Sequence, residues 1–182
     1  KERLIVNCGS FVGADPAWHT ALRATAAHSS LTVNDTNAIE IAPNGKVLGK
    51  NVIVDCTRRE SEGNIWLDSS HSGYGNRFNI LHKRRLYLAT NGEDIRGDDE
   101  LTGAVNGTFA IRFHFHPDIR ASLIQDGSGA LMRLKNGTGW RLRVNGGLLS
   151  LDDSIYLGDG RKARRSRQAV ISGSLGPDGV LI

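Results

Sequence analysis

Apolar side chains recur at every second position along much of this chain, the spacing that turns one face of a β-strand to a core and the other to water. Phe109, Ile111, Phe113 and Phe115 alternate with Ala110, Arg112, His114 and His116, so the expected strand packs its aromatics inward and points both histidines outward. Trp140, Leu142 and Val144 alternate in the same way with Arg141, Arg143 and Asn145. Further strands are expected over 4–8, 31–33, 38–41, 51–57, 65–70, 78–88, 122–125, 130–135, 148–151 and 168–172. Asn-Gly or Asp-Gly pairs begin at 44, 91, 106, 126, 136, 145, 159 and 178, and these residues tolerate the positive φ of tight turns. Short strands joined by such turns predict an all-β fold, an antiparallel multi-stranded β-sandwich. One segment departs from this pattern. Asp15-Pro16 reads as a helix N-cap with proline at the first helical position, and Trp18, Ala21, Leu22 and Thr25 follow at helical spacing, which predicts one short helix near 16–26.

With 182 residues and 39% hydrophobic content, the chain can bury one good core, and a single β-sandwich domain over 1–182 is expected. Its 23 basic residues exceed 19 acidic ones by a modest +4, which is compatible with an acidic partner without demanding one. No apolar run approaches the roughly 18 residues that span a bilayer, and no secretion signal opens the chain, so a membrane is not an expected partner. The sequence starts at Lys1-Glu2-Arg3 and stops at Val180-Leu181-Ile182, and both ends read as cuts inside something longer. Cys8 and Cys56 either pair in an oxidising compartment or remain buried thiols, the favoured reading, and two residues are too few for a disulfide scaffold.

Several groupings bear on chemistry. Gly127-Ser128-Gly129 lacks the strand, lysine and helix context that cradles phosphate. No nucleophile elbow and no Cys/His pairing is evident, so nucleophilic catalysis is not expected. His114-Phe115-His116 places two imidazoles on one strand face, a spacing that ligates zinc when a third ligand comes from elsewhere and otherwise belongs to a solvated surface. His28 stands where the expected helix hands over to a strand, a junction that reaches into clefts or bonds local backbone. Ser70-His71-Ser72-Gly73-Tyr74 and His82-Lys83-Arg84-Arg85-Leu86-Tyr87-Leu88 concentrate imidazole, phenol and guanidinium groups, and the planar fork of arginine suits carboxylates and sulfates. Tyr74, His82, Arg84 and Arg85 are the candidate substrate contacts, and the alternative is a strand whose basic face is merely exposed. The run from Gly158 to Arg167 carries Arg161, Lys162, Arg164, Arg165 and Arg167, and reads as a solvated loop or a polyanion handle. With no groove-sized helix and no aromatic stacking platform, nucleic acid is not an expected partner.

Read in order, Leu4-Ile5-Val6-Asn7-Cys8-Gly9, Arg23 to Leu31, Ser70 to Tyr74, His82 to Leu88, Arg112 to Pro117, Gly139-Trp140-Arg141 and the strand from Arg165 to Ile171 resemble the C-terminal region of the heparinase II/III-like family. The resemblance covers nearly the whole chain. It implies a bacterial polysaccharide lyase, with an upstream α-helical toroid in the same chain and a downstream β-sandwich, acting by β-elimination on an acidic, uronate-containing polysaccharide in the periplasm or cell envelope. The tyrosine and asparagine that serve this chemistry in relatives lie in the helical part, so no catalytic residue is expected within these 182 residues, and the piece alone is expected to be inactive. Some relatives hold a structural zinc in the sandwich, with a histidine where His28 stands. The aspartate of that set aligns with Asn7, and an amide is a poor zinc ligand. His28 is thus a candidate metal or cleft residue, and no cofactor is expected. The alternative to a lyase is a non-catalytic module that binds an acidic glycan.

Overall fold

The structure is a computed structural model describing residues 2–42, 44–48, 52–103, 106–124, 126–158, 162–177 and 179–182. The first residue of the strand expected at 51–57, Gln125, the Asp159-Gly160 turn, Arg161 of the basic run and Asp178 lie outside the described residues. In chain order the elements are β1 (Ile5–Val6), α1 (Pro16–Arg23), a 3-10 turn (Thr25–Ala27), β2 (Leu31–Val33), β3 (Glu40–Ile41), β4 (Val47–Leu48), β5 (Val54–Ser61), β6 (Asn64–His71), α2 (Gly75–Phe78), β7 (Leu81–Leu88), β8 (Ile95–Thr102), β9 (Gly107–Phe115), β10 (Arg120–Leu123), β11 (Gly129–Arg133), β12 (Gly139–Arg143), β13 (Leu148–Tyr156), β14 (Arg164–Leu175) and β15 (Val180–Leu181). They gather into two compact units, Lys1–Val47 with Thr108–Gly173, and Leu48–Gly107 with Ser174–Ile182.

The first unit packs a sheet of order β1-β9-β14-β13, with β2 also paired to β9, against the three-stranded sheet β10-β11-β12. Strand alternation builds the interface between them. Met132 lies opposite Trp140 and Ala130 opposite Leu142, so these side chains share one face of the smaller sheet, where Met132, Trp140 and Leu142 pack with Phe113, Phe115 and Ala169 of the larger one. Covering two sheets with one apolar layer is the sandwich arrangement, and the all-β antiparallel class expected from the sequence is the one observed. A second apolar cluster, Cys8, Leu22, Ala27 and Leu157, joins α1 and the 3-10 turn to the larger sheet.

Helix α1 begins as read. Asp15 Oδ1 accepts the Ala17 N–H at 2.9 Å, and Pro16 occupies the first turn. It ends before the expected residue 26. Ala24 turns extended with ψ 145°, and Thr25 is then tied to the 37–38 loop, its N–H bonded to Asn37 Oδ1 at 2.8 Å and its Oγ1 to the Ala38 N–H at 2.9 Å.

His114 of β9 corrects a sequence expectation, whereas His116 lies past the end of that strand and is half-buried. His114 is buried, at 2% exposure, instead of facing water. The period-two reading grants a strand one wet face, but β9 is covered on both: the 3-10 turn supplies the Ala26 carbonyl 2.9 Å from His114 Nε2. Cys8 is buried and Cys56 exposed, both as free thiols, so the expectation of two buried cysteines holds for the first and fails for the second, which lies on a strand exposed along its length.

The second unit is a five-stranded antiparallel sheet of order β15-β8-β7-β6-β5. Strand β8 was not expected, because Gly97, Asp98, Asp99 and Glu100 are poor strand formers. Pairing with β7 on one side and β15 on the other overrides that preference. The strand expected from 78 starts at Leu81 because Gly75–Phe78 coils into a helical turn closed by Asn79 at φ 52°. Strand β5 runs to Ser61, beyond the expected residue 57, and turns into β6 through Glu62 and Gly63, with φ 52° and 76°.

Candidate functional site

Register decides what the central strand of the second unit brings together. On β7, His82 and Arg84 share one face while Lys83 and Arg85 share the other. His71 of β6 lies directly opposite His82, and Asp99 of β8 directly opposite Arg84. Arg84 grips Asp99 with Nε on Oδ1 at 2.8 Å and Nη2 on Oδ2 at 3.0 Å, a two-point fork. His82 Nε2 reaches the same Oδ1 at 2.6 Å, and its Nδ1 lies 2.9 Å from His71 Nε2.

The hydrogen bonds assign the tautomers. The Gly73 N–H donates to His71 Nδ1 at 3.2 Å, so that nitrogen is an acceptor and Nε2 carries the proton. His71 Nε2–H then donates to His82 Nδ1, and His82 Nε2–H donates to Asp99, giving a chain with one direction from Gly73 to the carboxylate. Burial lowers the His71 pKa to about 4, with the neighbouring His82 and the positive charge of Arg84 acting in the same direction. For Asp99, burial pushes the pKa upward, but the hydrogen bonds from His82 and Arg84 and the charge of Arg84 outweigh it and hold the carboxyl below its ordinary value.

Among the four candidate contacts, Tyr74 is 1% exposed and His82 3%, so both are interior groups. Tyr74 sits beside His71 with ring centroids 5.7 Å apart. Arg84 is largely buried on Asp99, whereas Arg85 is exposed and bonds Asp98 at 2.7 Å. The structure thus joins His82 and Arg84 in one network, places Tyr74 next to it through His71, and leaves Arg85 on the opposite face of the strand. Sequence reasoning missed Asp99, which unites the network. An acid in the middle of an unrecognised strand gives no local signal, and its role appears only in the β7–β8 register.

In the first unit, His28 closes the 3-10 turn, its N–H bonded to the Thr25 carbonyl at 3.1 Å. Asn7 Oδ1 accepts the Ser29 N–H at 2.8 Å, so the amide oxygen that would replace a carboxylate ligand is already engaged in holding backbone. Asn7 and His28 do not fit a zinc site, and no group of three metal-binding side chains occurs among the described residues. Instead, buried His114 organises this region. Its Nδ1 lies 2.7 Å from Ser154 Oγ and 3.5 Å from Cys8 Sγ, while Nε2 faces the Ala26 carbonyl. Burial lowers the His114 pKa against the pull of that carbonyl, and burial raises the Cys8 thiol against the bond from Ser154. A neutral imidazole beside a protonated thiol is a structural joint and not an activated nucleophile.

These sheets form an antiparallel β-sandwich. The chain belongs to the heparinase II/III-like, C-terminal family, which matches residues 1–179. It is 32% identical to the FtsZ-localized protein C of Caulobacter vibrioides, over 98% of this chain and 33% of that protein. Heparinase III shares the fold with a TM-score of 0.77 at 16% identity, over 98% of this chain and 27% of that one. The heparan sulfate lyase HepC from Pedobacter heparinus does so with a TM-score of 0.76 at 16% identity, over 99% of this chain and 28% of that one. The chain therefore spans a third or less of the proteins it is similar to.

Proposed function

We propose that this chain is the C-terminal β-sandwich of a lyase that cleaves a uronate-containing polysaccharide by β-elimination, and that it supports the substrate cleft without carrying the reacting groups. The family match across nearly every residue supports this reading, and the shared fold with heparinase III and a heparan sulfate lyase agrees with it. Elimination needs a base for the proton α to the uronate carboxylate, an acid for the leaving oxygen, and a group that neutralises the developing enolate. An upstream helical part of the same protein would supply these, and an acidic glycan of the cell envelope would be the substrate. Here the directed chain from Gly73 through His71 and His82 to Asp99 is saturated by its own hydrogen bonds, so it fixes β6, β7 and β8 and moves no proton at a substrate. Arg85, exposed on the opposite face of β7, would be the member of the candidate set to meet a substrate carboxylate, in exchange for its pair with Asp98. The test is ultraviolet absorbance from the unsaturated uronate product. The full-length parent is expected to generate it from an acidic glycan and the 182-residue chain is not; a parent silent on heparan-like and alginate-like substrates alike defeats the reading.

A second reading is favoured by the 32% identity to FtsZ-localized protein C. The parent would then be a division-site protein whose sandwich serves binding instead of cleavage. Imaging a tagged parent beside FtsZ decides this: a diffuse signal that ignores the division plane removes it.

A further inference from the structure

The two units treat their surface charges in opposite ways. In the second unit each cation of β7 faces an acid on β8: Lys83 opposite Glu100, Arg84 opposite Asp99, Arg85 opposite Asp98. Such pairs stabilise a sheet. In the first unit, the outer face of β10-β11-β12 does the reverse. Arg120 lies directly opposite Arg133, Leu131 opposite Arg141, and Arg143 ends the same face one rung further on. All four arginines are exposed, and none has an ion pair among the described residues. Like charges directly opposite on neighbouring strands destabilise a sheet, so this arrangement works against the fold.

Shape accompanies the charge. A groove of about 630 Å³ runs over this face, lined by Arg120, Ser122, Leu131, Arg133, Gly139 and Arg141. A Cβ built on Gly139 meets nothing within 4 Å, so the floor beside Arg133 is open. Carboxylates stand at the two ends. Asp118 is held by Arg164 at 2.6 Å and Lys135 at 3.1 Å, and Asp126 is held by Ser128 Oγ at 2.7 Å. Asp126 lies within electrostatic reach of Arg141, whereas Arg120 and Arg133 have no ion pair among the described residues.

We propose that this outer face binds an acidic polysaccharide, whose carboxylate or sulfate groups take the guanidinium forks of Arg120, Arg133 and Arg141. The proposal rests on the reading of the parent as a protein of acidic glycans. Three features of the face favour that occupant. Planar forks match carboxylate and sulfate at two points each. The one aromatic side chain in the groove's lining, Trp140, is half-buried against the apolar core of the sandwich, so no exposed ring is offered for nucleobases to stack on among the described residues. Leu131 is its exposed apolar residue, at 51% exposure, too little apolar surface to enter a lipid interface. The basic run after Gly158, which reads from the sequence as a solvated loop with a polyanion handle as the alternative, is partly committed elsewhere: Arg164 bonds Asp118 and Arg167 bonds the Leu151 carbonyl.

The experiment measures binding of a heparin-derived oligosaccharide to the 182-residue chain by calorimetry over a range of salt. The double replacement Arg133→Ala with Arg141→Ala is expected to weaken binding roughly tenfold and flatten its salt dependence. Gly139→Glu sets a carboxylate into the open floor beside Arg133 and is expected to weaken binding comparably while the melting temperature holds or rises. Unchanged affinity in both variants overturns the proposal, as does binding of double-stranded DNA or phosphatidylserine vesicles as tight as that of the oligosaccharide. No turnover enters the measurement. A parent that cleaves no uronate glycan, beside a chain that binds through these arginines, defeats the lyase reading alone; an active parent beside a chain indifferent to both variants defeats this proposal alone.

Discussion

Arg84 and Asp99 stand directly opposite each other on β7 and β8, and the guanidinium meets the carboxylate at two points, 2.8 and 3.0 Å apart. The pair is buried, with His82 on the same carboxylate. Asp99→Asn therefore leaves Arg84 desolvated and without its counter-charge, and is expected to cost about 3 kcal/mol of stability. Urea denaturation followed by tryptophan fluorescence measures this; a midpoint matching the parent chain contradicts it.

Acid is expected to loosen the same sheet in two stages. His71 has its pKa lowered from 6.5 to about 4, so between those values the unfolded chain binds a proton that the folded chain refuses, and stability falls as pH drops through that window. The lowered pKa of Asp99 adds a contribution present above the ordinary carboxylate range and lost as pH falls through its depressed folded value. His71→Gln keeps an acceptor for Gly73 and a donor for His82 while removing the first titration. Denaturation midpoints at about pH 7 and about pH 4.5 are expected to differ less in this variant than in the unaltered chain.

His114 joins two elements through two hydrogen bonds, and His114→Leu strands both the Ala26 carbonyl and the Ser154 hydroxyl. A loss of about 2 kcal/mol is expected, with Ser154→Ala costing less because one partner remains. Chemical denaturation of the two variants side by side checks the order, which a solvent-facing His114 would not produce.

Thiol labelling distinguishes the cysteines. Cys56 is exposed and is expected to react at once in the native chain, whereas Cys8 waits for the cover formed by α1 to open. Asp15→Ala removes the α1 cap at a cost of about 1 kcal/mol and is expected to speed labelling of Cys8 without touching that of Cys56. Equal native rates for both thiols in the unaltered chain would refute this.

What could be read from the sequence depended on how many faces of an element were covered. Strand β12 followed the period-two reading closely, with Trp140 and Leu142 inward and Arg141 and Arg143 outward, because one side of its sheet is core and the other is open. Strand β9 broke the reading at His114, since the 3-10 turn that buries it lies about ninety residues earlier, and no local pattern carries such a contact. The candidate set around β7 was half legible. Its basic residues were visible as a cluster, but their partner Asp99 sat in a stretch of acids and glycine that reads as loop. The arginines of β10 and β11 were invisible as a site for a related reason: Arg120 and Arg133 become neighbours only once the strands are in register.

Strand β5 sits at the rim of its sheet, with Val54 at 71% exposure and its backbone paired to β6 on one side. A rim strand is a template on which a second molecule can extend the sheet, and repetition of that step makes fibrils. Asp55, Arg58, Arg59 and Glu60 crowd the same rim, and Arg58 and Arg59 already hold Glu60 at 2.6 Å and Asp68 at 2.7 Å. An incoming copy must bring its own charged row against this one, so these few side chains oppose extension of the sheet at this rim.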